Sequence, residues 1–96
     1  MGRRTKMGIC ELCGRGPIAL TFHHLIPVTL HNNTWFKTRF NRAERQNGLN
    51  ICLLCHDGIH TLIEEKDLGR HFNTREKLSA HKRLNAHIKW VVRQKY

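Results

Sequence analysis

The chain has no stretch of 18 consecutive apolar residues, so nothing in it reads as a transmembrane helix. Its start, "MGRRTKMGIC", lacks the apolar run of a secretory leader, and position 6 is Lys where a myristoylation signal wants Ser or Thr. The expectation is therefore a cytoplasmic protein in a reducing setting, with no membrane partner. Acidic residues are scarce: 7 Asp+Glu stand against 17 Lys+Arg, a formal net charge of +10. That balance points to a polyanionic partner, nucleic acid first, although membranes and acidic proteins also attract small basic chains. There is no internal repeat and no low-complexity segment, which excludes a solenoid or an array. A chain of 96 residues has no room for a second core, and a core this small gains from a structural metal. The expected layout is a basic, flexible N-terminus over residues 1–8, with Arg3, Arg4 and Lys6, then a single domain over 9–96.

What is present begins with four cysteines in two C-x₂-C pairs, Cys10 with Cys13 and Cys52 with Cys55. In a reducing compartment such pairs read as metal ligands rather than disulfides. Each pair supplies two thiolates from one turn, and Gly14 and Gly16 allow the first turn to be tight. Four thiolates complete a tetrahedral zinc shell with no open position, hence a structural site. The span between the knuckles, residues 14–51, is longer than in ordinary zinc ribbons, so something is inserted there.

The elements around the knuckles can be placed from pattern and turn chemistry. Ala19–His23 reads as a short strand entering a loop at Pro27, and Leu49–Ile51 as a second strand after the Asn47-Gly48 turn. These two are expected to pair antiparallel as a two-stranded sheet. Asn41 with Glu44 resembles a capping box, which predicts one helical turn over Arg42–Gln46. Helical spacing over Asp57–Lys66 puts Ile59, Leu62 and Ile63 on one side, with Gly69 as terminator. Asn73 is the expected cap of the next segment. A C-terminal helix follows, with Leu84, Ile88 and Val91 or Val92 facing inward.

A second constellation lies in the insertion and just beyond it. His56 and His60 stand at i, i+4 on the predicted helix, on one face and close enough to share an ion. The cysteine shell is already full, so they serve a second metal or none. His23 and His24 are adjacent on an extended segment, so their side chains diverge, and one can join the helix pair while the other stays free beside it. Three neutral imidazoles with open positions make a catalytic-type site.

"CELC", "HHLIP" and "NGLNICLLCHDGIH", in that order over residues 10–60, resemble the HNH endonucleases. "NTREKL" and "WVVRQ" of the tail are more loosely similar to those of small stand-alone members. The resemblance implies a small α+β fold: a ββα-metal (His-Me finger) core over 10–68 with structural zinc knuckles, and C-terminal helices over 73–95. It also implies a nuclease that nicks DNA, leaving 3′-hydroxyl and 5′-phosphate ends. His24 matches the general base. His23, where many members have Asp, matches a metal ligand together with His56 and His60. Asn47 matches the middle Asn, whose side-chain amide ties the loop that holds the base; Asn50 is its rival. An all-imidazole set suits Mn²⁺, Co²⁺, Ni²⁺ or Zn²⁺ at least as well as Mg²⁺.

The expected partner is double-stranded DNA, read with low sequence specificity, by a monomer or a dimer. A non-catalytic, zinc-stabilised nucleic-acid-binding module is the alternative. Lys37, Arg39, Arg42 and Arg45 are candidate phosphate contacts, and Lys82, Arg83, Lys89, Arg93 and Lys95 would widen the basic surface. Trp35, Phe36, Phe40 and Trp90 are expected in the core. His31, His71, His81 and His87 lack ligand partners at useful spacing and read as surface groups, and Asp57 reads as facing away from the histidines.

Overall fold

A computed structural model describes residues 6–96, so Arg3 and Arg4 lie outside the described residues. Three strands form one antiparallel sheet in the order β1–β2–β3: β1 is Lys6–Gly8, β2 Ile18–His24 and β3 Gly48–Cys52. The two-stranded expectation captures β2 and β3 but omits β1, which pairs Met7 with Ala19 along the far edge of β2. Residues 6–8 are thus strand rather than flexible lead-in. Three residues carry no alternation that a sequence pattern could reveal, and their order comes from the partner strand. Between β2 and β3 the register sets Thr21 opposite Ile51 and His23 opposite Leu49. Alternation then puts Thr21, His23, Leu49 and Ile51 on one face.

The inserted segment is helical where its caps say so. A 3₁₀ turn spans Val28–Leu30, α1 spans Thr34–Arg39 and α2 spans Arg42–Arg45. Asn33 caps α1 by accepting from the Trp35 amide at 2.9 Å. The capping box of α2 is present in full: Asn41 accepts from the Glu44 amide at 2.8 Å, and the Glu44 carboxylate accepts from the Asn41 amide at 2.9 Å.

The long helix expected over Asp57–Lys66 is two helices: α3, Leu53–Leu62, starting at the second knuckle, and α4, Glu65–His71. Ile63 and Glu64 between them are extended, which lets Ile63 bury its side chain in the core. Gly69 does not end a helix. It sits buried inside α4, where a Cβ would press on the Phe36 ring, so its smallness admits α1's aromatic anchor. Thr74, not Asn73, caps α5 (Arg75–Ala80), accepting from the Lys77 amide at 3.0 Å; Asn73 instead donates its side-chain amide to the Gly69 carbonyl. The last helix, α6, is Lys82–Val92, with Leu84, Ile88 and Val91 buried and Val92 exposed.

The main core gathers Leu20, Leu49 and Ile51 of the sheet, Cys55 and Ile59 of α3, and Leu68, Leu78, Leu84 and Val91 of the later helices. A smaller cluster, Ile26, Leu30 and Phe36 with Trp35 and Phe40 against it, supports the inserted loop. Trp90 departs from expectation: it is 49% exposed, lying against the His87 ring at the surface. No helix among the described residues is long and apolar enough to cross a membrane.

Candidate metal centres

The sheet and α3 bring the four cysteines into one cluster, with every sulfur within 4.8 Å of the others and none in a disulfide. Gly14 takes φ +79°, which turns the first knuckle so that Cys10 and Cys13 face the same point. Backbone amides then point at sulfur: those of Cys13 and Cys52 donate to Cys10 Sγ at 3.4 and 3.3 Å. Amides that stabilise thiolate suit a ligand cluster, and the four sulfurs could hold a structural metal ion such as zinc. Hydrogen bonding between Cys10 and Cys55 holds the Cys10 thiol down at about 4 and pushes Cys55 up; burial raises Cys13. Taking up an ion therefore releases protons, so acid favours its loss.

Arg15 closes this site, and sequence reasoning missed it. It is buried, donates Nη2 to Cys52 Sγ at 3.2 Å and Nη1 to the Gln94 carbonyl at 3.1 Å, and stacks on Tyr96. Hydrogen bonding to the sulfurs of Cys13 and Cys52 raises its already high pKa. One fixed positive charge against four sulfurs offsets part of the negative charge of a tetrathiolate shell. Tyr96 in turn donates to the Gly16 carbonyl at 2.9 Å and accepts from the Gly16 amide at 3.0 Å, so the chain's last residue lies over the knuckle.

The second cluster is His23, His56 and His60, whose ring nitrogens also come within 4.8 Å of one another. Strand β2 delivers His23 on the face that meets α3, and the i, i+4 pair meets it from the helix. His23 is 1% exposed, yet among the described residues neither of its ring nitrogens has a hydrogen-bond partner. Leaving a buried polar atom unpaired costs about 1–3 kcal/mol, so the donor set fits a cation that would take one of these nitrogens. Burial, then the neighbouring histidines, lowers the His23 pKa to about 3; burial also lowers His56. All of this favours the neutral imidazole, the form that ligates metal.

Thr21, two residues before His23 and so on the same face, orders this cluster. Its hydroxyl lies 2.8 Å from His56 Nδ1 and 3.0 Å from the Ile51 carbonyl. A carbonyl can only accept, so the one hydroxyl proton goes to Ile51 and the oxygen accepts from His56 Nδ1–H. Nε2 of His56 is then the free lone pair, and its direction is fixed. The i, i+2 relation to His23 was the available signal for Thr21 in the sequence.

His24, His23, His56 and His60 line one cleft of about 250 Å³ with Pro27, Val28, Thr29 and Glu65. His24 is half-buried, edge-on to Phe22 and to His31, and its pKa is lowered by burial and then by His31. No main-chain carbonyl receives a hydrogen bond from the His24 ring among the described residues; His31 makes the equivalent bond, donating to the Ile26 carbonyl at 2.7 Å. The histidines read as surface groups divide: His31, His81 and His87 are half-buried, with His81 capping α6 and His87 donating to the Leu54 carbonyl, while His71 is exposed.

Asn47 is exposed and lines a different hollow, with Leu25, Phe40 and Asn73. Where the resemblance implies a side-chain tie, the tie seen here is main-chain: the Asn47 carbonyl accepts from the Leu25 amide at 3.0 Å, one residue past His24. Asn50 links the two knuckles instead: its carbonyl accepts from the Glu11 amide at 3.1 Å, and its amide donates to the Glu11 carboxylate at 2.6 Å. Asp57 is exposed and outside the ligand cluster.

Fold and site together define a small α+β protein with a three-stranded antiparallel sheet and a four-cysteine cluster that could hold a structural metal ion. Among known proteins the chain is similar to the uncharacterized protein YisB of Bacillus subtilis (strain 168), 33% identical over 87 residues that cover 91% of this chain and 76% of that protein. The chain belongs to the family of that protein. No known family profile matches it, and no solved structure does.

Proposed function

We propose that the protein is a metal-dependent DNA endonuclease of the HNH type, nicking one strand per active site, with His24 as general base. The observation that carries the reading is the buried His23, both ring nitrogens unpaired, facing His56 and His60 in the cleft that His24 also lines. A phosphodiester resists hydrolysis because water is a weak nucleophile and because charge accumulates on phosphorus oxygens and the leaving oxygen. His24, neutral because burial and His31 lower its pKa, accepts the proton of the attacking water, a contribution of about 10²–10⁴-fold. His23, His56 and His60 would hold a divalent cation, which supplies Lewis-acid stabilisation of the developing charge when bound. Thr21 keeps His56 in the tautomer that ligates. The ligand set contains no carboxylate, which favours Mn²⁺, Co²⁺ or Ni²⁺ at least equally with Mg²⁺.

Plasmid nicking tests this directly. Wild type should convert supercoiled plasmid to the nicked form with Mn²⁺, Co²⁺ or Ni²⁺. His24→Ala should lose roughly 10²-fold or more while keeping its melting temperature and its DNA affinity. The wild-type rate should rise with pH through a limb centred below the ordinary histidine value of 6.5, because the base acts deprotonated and its pKa is lowered. DNA binding without nicking by the fully metallated wild type would favour the zinc-stabilised binding module instead.

A further inference from the structure

The inserted loop and α4 meet at one aromatic ring. The Arg39 guanidinium stacks on Trp35 at 4.1 Å from the ring centroid, and that of Arg70, from α4, lies 4.8 Å from the same centroid. Two like charges converging on one indole repel each other unless something of opposite sign joins them. No acidic side chain does: the ion pair found among the described residues is Arg75 with Glu76, elsewhere on the surface. Both arginines are exposed, and Trp35 is fixed from below by Phe36 and Phe40. Arg39 Nη1 is also tied to the Trp35 carbonyl at 3.2 Å, so the guanidinium is held in place rather than sweeping through solvent. A stacked guanidinium keeps most of its in-plane N–H donors free, the arrangement that suits a phosphate.

Helix α4 fixes where this platform stands relative to the cleft. Glu65, at its start, lines the cleft with the histidines, and Arg70 is five positions further on. Five residues of α-helix advance about 7.5 Å and turn through about 140°, so Arg70 leaves α4 on the side away from Glu65, flanking the cleft rather than entering it. We infer that Arg39 and Arg70, stacked on Trp35, form a phosphate clamp for the DNA strand being cut, engaging its backbone to one side of the scissile phosphate. This rests on the nuclease reading above and names the surface by which that site takes its substrate. Arg45 is not part of it, because its guanidinium is committed to the Phe40 carbonyl at 2.7 Å.

The test measures affinity for a short duplex DNA as a function of salt, from about 50 mM to about 200 mM. It uses the full chain carrying His24→Ala, so that nothing is cut. Adding Arg39→Gln or Arg70→Gln should each lower the steepness of log K against log salt by about 1, and the pair by about 2. Arg75→Gln, an equal loss of net charge on α5 at a residue paired with Glu76, should change it by much less. Thermal melting confirms that each variant is folded. Unchanged slopes for Arg39→Gln and Arg70→Gln beside a steep parent would overturn the clamp and leave the nuclease reading standing. So would an equal loss from Arg75→Gln. A parent that does not bind DNA overturns both.

Discussion

A hydroxyl with one proton to give decides the tautomer of His56. Thr21 spends that proton on Ile51 and so presents only lone pairs to the imidazole. Thr21→Val keeps the shape and removes the acceptor, and should weaken binding of Co²⁺ or Zn²⁺ at the histidine cluster by about 10–100-fold, read by calorimetry. Thr21→Ser should restore most of the affinity, an outcome that mere packing loss would not give. Single residues are also where the sequence was least legible. His56 and His60 could be paired from spacing alone, because i, i+4 on a helix is a geometric statement; that His23 rather than His24 joins them came only from the resemblance. Arg15 could not be placed, since its partners Cys52, Gln94 and Tyr96 come from the other half of the chain. The main-chain bond from Leu25 to the Asn47 carbonyl could not be read either, because such a bond leaves no trace in side-chain identity.

Among the elements, those with local chemistry were readable: the capping box of α2, the strands β2 and β3, and the buried stripe of α6. Those decided by distant contacts were not. The break between α3 and α4 falls in "LIEEK", which is compatible with continuous helix; burial of Ile63 breaks it. The crossing of α3 and α6 has a similar basis in Gly58, where a Cβ would run into the His87 ring that donates to the Leu54 carbonyl. Two effects compete in Gly58→Ala. Helix propensity gains about 1 kcal/mol, while overpacking costs about 1–3 kcal/mol. With the ring pinned by its hydrogen bond, overpacking should win, lowering the melting temperature by roughly 4–8 °C for each kcal/mol lost. A rise in melting temperature would mean that α6 yields easily.

For the whole molecule, the cysteine cluster joins the β1–β2 region to the start of α3, while the histidine cluster joins β2 to the next turn of the same helix. The two should therefore respond differently to ligand loss. Cys55→Ser should forfeit cooperative melting along with every bound ion, because a small core depends on its metal. His60→Ala should keep the fold and lose only the readily exchanged ion. Elemental analysis before and after mild chelation reads both: two classes of ion in wild type, one class in His60→Ala. A His60→Ala protein that retains both classes would show that the histidines hold nothing.

Cys55 and His56 are consecutive residues of α3, one turned to each cluster. Neither centre can drift in register without carrying the other, so insertions are confined to the loops at either side. The stretch from Gly48 to Leu62 is accordingly one structural block, and a working chimera between members of this family would have to exchange it whole, together with the β2 residues that face it.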